Sequence, residues 1–116
     1  MRTPEGNEKA ALDKFLEEIG AYVIKPVTFG YGKSGAPDRV CCIGGQFWGL
    51  EVKREGKDPT PIQNRRMREI IENGGRVAWG TASDIIPVVQ RWLTKRAFGG
   101  SFDEVQDVHA APMVPR

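Results

Sequence analysis

An α/β sandwich is predicted, with helices flanking a small mixed sheet in the order αβββαβα, on three observations. Apolar residues recur at helical spacing in three stretches: Leu12, Phe15, Leu16 and Ile19; Met67, Ile70 and Ile71; Ile85, Val88, Val89, Trp92 and Leu93. Four shorter stretches, Tyr22 to Val27, Asp38 to Ile43, Gln46 to Lys53 and Arg76 to Trp79, carry β-branched or aromatic residues. Three of these stretches precede the second helical one and the fourth follows it.

The elements follow in order. Thr3-Pro4 opens the first helix, with Thr3 as N-cap and Pro4 at the first helical position, and Gly20 ends it. Tyr22 to Val27 alternates and reads as a strand. Thr28 to Pro37 is a loop, because Gly30, Gly32, Gly35 and Pro37 break any regular pattern. Asp38 to Ile43 is a second strand, Gly44-Gly45 a hairpin turn, and Gln46 to Lys53 a third strand. Thr60-Pro61 starts the second helix and Asn73-Gly74-Gly75 closes it. Arg76 to Trp79 is a short fourth strand, and the third helix runs to about Lys95. The reading is one domain over residues 1–96 and a loosely ordered tail over 97–116, where periodicity is lost and Gly99-Gly100, Pro112 and Pro115 appear.

Composition narrows the class. A chain of 116 residues can bury a core without staples. No apolar run approaches the ~18 residues that span a bilayer, and the N-terminus lacks the apolar centre of a signal peptide. The expectation is an intracellular, cytoplasmic protein with no membrane partner and no nucleotide cofactor. Cys41 and Cys42 are adjacent, so in a strand they point to opposite faces and make a poor disulfide. With no Cys-x-x-Cys and His109 as the one histidine, a structural zinc site is disfavoured. Net charge is only +2, but Lys25 to Arg68 holds nine basic residues against four acids. That cationic middle suits a polyanion, although a solvated charged face explains it equally well.

The residues able to do chemistry lie in this middle. Side chains alternate along the third strand, so Glu51 and Lys53 share a face at its end. A cross-strand ion pair would account for them; so would a metal-holding carboxylate beside a lysine that stabilises phosphate charge. Asp38 tilts the balance. A short hairpin brings the start of one strand opposite the end of the next, and so brings Asp38 to Glu51 and Lys53. Two carboxylates at one end of a hairpin are costly unless a cation separates them. Glu8 shares the stripe of Leu12, Phe15 and Ile19 and so faces inward, or else lies at the helix end and curls to solvent under the helix dipole. Glu5 is its rival one turn earlier. Gln63 fits a capping box with Thr60, yet its spacing to Met67 and Ile70 also turns it toward the sheet, where it could position water or phosphate. Arg65, Arg66 and Arg68 on the second helix, and Lys33 and Ser34 with Tyr31 in the glycine-rich loop, are candidate contacts to a phosphate backbone; Arg39, Arg54 and Lys57 belong to the same basic stretch.

Ser34-Gly35-Ala36-Pro37-Asp38-Arg39-Val40, then Gly49-Leu50-Glu51-Val52-Lys53-Arg54, then Pro59-Thr60-Pro61-Ile62-Gln63, resemble the virus-type replication-repair nuclease (VRR-NUC) domain. This is a branch of the PD-(D/E)XK superfamily, with a restriction-endonuclease-like core. The resemblance runs from Glu5 to Leu93. Glu-x-Lys alone is weakly specific; the full ordered set is strong. The resemblance implies that Asp38, Glu51 and the backbone carbonyl of Val52 are metal ligands and Lys53 the catalytic lysine. Glu8 would match the helix-one glutamate, with its metal contact through water, and Gln63 the glutamine after the catalytic strand. It further implies Mg2+ or Mn2+ as cofactor, DNA as substrate and a metal-activated water as nucleophile. Short stand-alone members, often from phages, resemble compact homodimers acting on branched DNA such as four-way (Holliday) junctions, in which case the site of action is the host cytoplasm. Symmetric cutting of a junction needs two active sites a fixed distance apart, and the third helix, the tail and the aromatics Trp79 and Trp92 are candidate dimer surfaces. The alternatives are a flap- or end-trimming nuclease, a restriction-type enzyme, for which the chain is short, a catalytically silent DNA-binding module, and a small α/β protein whose acids and lysine are an ion-pair cluster.

Overall fold

The computed structural model describes residues 3–27 and 32–98. The expectations placed on Tyr31, on the tail beyond Phe98 and on residues 28–30 lie outside these. The element order is α1 (Pro4–Glu18), β1 (Tyr22–Ile24), β2 (Arg39–Ile43), β3 (Gln46–Val52), α2 (Pro61–Glu72), β4 (Arg76–Gly80) and α3 (Ala82–Ala97). The predicted αβββαβα arrangement is thus present. One sheet runs in the order β1-β2-β3-β4. The first three strands are antiparallel, and β4 pairs parallel with β3 after the α2 crossover. The sheet is therefore mixed.

Local chemistry explains most boundaries. Thr3 and Thr60 cap α1 and α2 by accepting from Gly6 N and Gln63 N, and a proline occupies the first turn of each. Thr81 caps α3 in a capping box with Asp84, so α3 starts earlier than its apolar spacing suggests. β1 is shorter than predicted: it stops at Ile24, two residues before Pro26, which has no N–H for a ladder. β3 ends at Val52, and the ladder gains one further bond where Lys53 N donates to Gly80 O at 2.7 Å.

The helices divide between the two faces. Leu12, Phe15 and Leu16 of α1 and Ile85, Val88, Val89 and Trp92 of α3 pack on Cys41, Ile43, Trp48, Leu50 and Val52. Trp48 and Trp92 meet edge to face with centroids 5.6 Å apart. On the opposite face α2 lays Met67, with Ile70 and Ile71, over Val77 and Trp79. Trp79 and Trp92 are consequently buried, at 8% and 5% exposure, which removes them as dimer-forming surface aromatics. Among the described residues, the exposed large apolar ones are Tyr22, Ile24, Val27, Phe47 and Phe98. Cys41 is buried and Cys42 exposed, both free; burial pushes the Cys41 thiol up to about 12. No helix among the described residues is long and apolar enough to cross a membrane.

Candidate active site

The hairpin delivers the acids as the sequence predicts. Arg39 pairs with Leu50 across β2 and β3, so Asp38, one residue earlier, stands at the level of Glu51. Asp38 Oδ2 accepts from Val52 N at 2.9 Å, which locks its carboxylate onto the end of β3. Gly49 makes this approach possible. A Cβ there would lie 2.6 Å from Ile70 Cδ1 and 3.0 Å from Pro37 Cγ, so the missing side chain admits the proline that precedes Asp38.

Glu51 is 2% exposed. Its Oε2 lies 3.7 Å from Lys53 Nζ, while Oε1 is buried with no hydrogen-bond partner. Burial pushes its pKa up to about 8, the nearby Asp38 carboxylate pushes the same way, and Lys53 opposes. Glu5 also raises it, so the first turn of α1 reaches this pocket electrostatically. A buried carboxylate with one oxygen unpartnered is expensive to ionise, and such perturbed groups cluster at functional sites.

Helix α1 presents a charged stripe at spacing four, and each member answers a group at the sheet end. Glu5 bears on Glu51. Lys9 Nζ lies 3.5 Å from Asp38 Oδ1. Asp13 receives Arg39 through two bonds, of 2.6 and 2.9 Å. That pair holds the Asp13 carboxyl below its ordinary value and Arg39 above its own. Lys9 and Asp13 were missed in the sequence, although the spacing of four beside the apolar stripe was a usable signal.

Other expected residues divide. Arg39 was expected to contact DNA; instead it is 8% exposed, turned inward to Asp13, and donates to the carbonyl of Asp38 at 2.7 Å. It holds the backbone of an acid in place. Glu8 does face inward, but its Oε1 accepts from Ala82 N at 2.8 Å, satisfying an amide at the start of α3. Gln63 adopts the capping-box alternative: its Oε1 accepts from Thr60 N at 2.8 Å. The polar residue of α2 that turns fully inward, alongside Met67, is its neighbour Asn64, which is buried with Oδ1 unpartnered. Arg54, Lys57 and Arg65 are exposed, as are Lys33 and Ser34. Arg66 donates to Ser34 O and pairs with Glu69, which also meets Lys33, so it braces the loop before Pro37. Arg68 is partly buried. A cavity of about 570 Å³ opens between α2 and that loop, with Phe47 and Ile70 on its wall. It contains neither Asp38 nor Glu51, so the cavity and the acid pair are separate features.

No family model matches the chain, and no curated protein matches it. Among solved structures, one titled "VRR_NUC domain" is 30% identical, with a TM-score of 0.61 over 70% of this chain and 87% of that one.

Proposed function

This chain belongs to the VRR-NUC family, and from that membership we propose that it is a metal-dependent deoxyribonuclease that hydrolyses phosphodiester bonds in branched DNA as a homodimer. The observation that carries the reading is Glu51: fully buried, with one oxygen unpartnered, beside a second carboxylate and a lysine.

A divalent cation fits these residues. The orphaned Oε1 needs a positive partner, and the repulsion between Asp38 and Glu51 is what such an ion would relieve. Among the described residues no three acid, histidine or cysteine side chains converge to hold an ion unaided. Magnesium is characteristically held by one or two carboxylates, completed by water and substrate phosphate, so a two-acid site suits magnesium or manganese. Asp38, Glu51 and the main-chain carbonyl of Val52 would hold it. Glu5, whose charge reaches Glu51, is a better helix-one acid for this than Glu8, which is engaged with α3. When bound, the ion supplies an acidified water and polarises phosphate.

The chain's own groups supply the remainder. The Lys53 side chain is 13% exposed at the rim of the pocket, where an ammonium neutralises charge gathering on the reacting phosphate. Arg39 fixes the Asp38 backbone and Gly49 admits Pro37, so the acids are held before substrate arrives. Gln63 secures the start of α2 beside the site and keeps its amide nitrogen for a water or phosphate. Lys33, Ser34, Arg54, Lys57, Arg65 and Arg68 are the phosphate-contacting set, with Arg66 bracing the loop. Tyr22 and Ile24 on the edge strand β1 are exposed, which supports this edge as the homodimer surface.

The test is cleavage of a labelled four-way junction beside a flap, a nicked duplex and a plain duplex, with and without magnesium or manganese. Paired metal-dependent cuts near the branch point are expected. Lys53→Ala should abolish them while leaving DNA binding largely intact. Cutting of flaps or ends alone would leave the active site and discard junction resolution. No cutting of any substrate would favour a silent binding module.

A further inference from the structure

We propose that Lys9 is a second phosphate-contacting lysine of this site, which neutralises Asp38 in the free protein and is handed to the DNA backbone when a cation takes its place. The proposal rests on the nuclease reading above and names a residue that reading does not use.

Lys9 Nζ stands 3.5 Å from Asp38 Oδ1. The other oxygen of Asp38 is committed to Val52 N. An incoming cation and Lys9 therefore compete for the same oxygen. Lys53, just past the end of β3, lies by Glu51, whereas Lys9 approaches Asp38 from α1, so two ammonium groups bracket the carboxylate pair from different parts of the fold. A purely structural role, tying α1 to the sheet, is already filled one helical turn further on by the two-bonded Asp13–Arg39 pair. The Lys9 side chain is 35% exposed and its contact is long and single. Such pairs are weak, and the four-carbon stem lets the ammonium swing outward at little cost. With a cation held by Asp38 the ammonium would be repelled, and a phosphate lying across the two acids would offer it a new anion, Asp13 being already engaged by Arg39. The charge that compensates Asp38 before binding then compensates DNA after it.

The experiment compares the wild-type chain with Lys9→Met, which keeps length and loses charge, and Lys9→Arg, which keeps charge. Manganese affinity is measured calorimetrically on the free proteins. The salt dependence of junction binding is measured in manganese with Lys53→Ala added to every variant to block cutting. Lys9→Met is expected to bind manganese more tightly, on the order of tenfold, because a competing cation is gone. Its plot of log affinity against log salt should flatten by about 0.9, the loss of one phosphate contact, and Lys9→Arg should restore the slope. Unchanged manganese affinity, or an unchanged slope, in a chain that binds both manganese and DNA overturns the hand-over and leaves the nuclease reading standing. A wild-type chain that binds neither overturns both.

Discussion

Glu51→Gln should stabilise the metal-free protein, and by an amount that grows with pH. The side chain is buried, Oε1 has no partner, and burial together with Asp38 pushes its pKa from 4.5 to about 8. The folded state therefore holds a proton that the unfolded chain releases near 4.5. Below that pH both states are protonated and Glu51 costs nothing. Between 4.5 and 8 the folded state binds more protons than the unfolded one, so stability falls as pH rises. Above 8 the cost is complete, on the order of 5 kcal/mol at ~1.4 kcal/mol per unit. Glutamine has the same shape and no charge to desolvate. The gap between variant and wild type should thus be near zero at pH 4, open through the window and level off above pH 8. For a domain of this size about 4 °C of melting temperature accompanies each kcal/mol, so the plateau approaches 20 °C. Thermal unfolding followed by circular dichroism in chelator, from pH 4 to 9, reads this directly. Magnesium should raise wild-type stability at pH 8 far more than that of the variant. A gap that stays flat across the window would show that Glu51 is not held protonated, and the inference of a cation-seeking site would lose its basis.

Two further outcomes concern the frame around the acids. Arg39→Met strips Asp13 of its two-bonded partner and frees the Asp38 carbonyl; a loss of about 3 kcal/mol is expected in urea unfolding, with reduced cleavage, and Arg39→Lys should recover only part because lysine cannot bond in the same forked way. Gly49→Ala drives a methyl into Ile70 and Pro37, which should cost about 1–3 kcal/mol and slow cleavage by displacing Asp38; a variant of native stability and rate would show that the close packing there is dispensable.

Short-range chemistry in the chain determined a good deal. Thr3-Pro4 and Thr60-Pro61 set helix starts, because a cap and a proline act within one turn. Gly44-Gly45 set the hairpin, and the hairpin alone brings Asp38 to Glu51, since register across a tight turn follows from counting residues. The family was legible for the same reason: its motif lies along one hairpin and the helix start after it. What required the tertiary structure involves groups far apart in sequence. Two helix-one acids, Glu5 and Glu8, lie a turn apart, and nothing local says which bears electrostatically on Glu51 and which accepts from Ala82 N across 74 residues. Arg39 looked like a surface cation until the docking of α1 supplied Asp13. Trp79 and Trp92 became core only when β4 paired parallel with β3 and both faces of the sheet were covered. Periodicity assigns a residue to a face of its own element; which element covers that face is decided by packing, because burial is a property of the assembled sandwich and not of any one strand or helix.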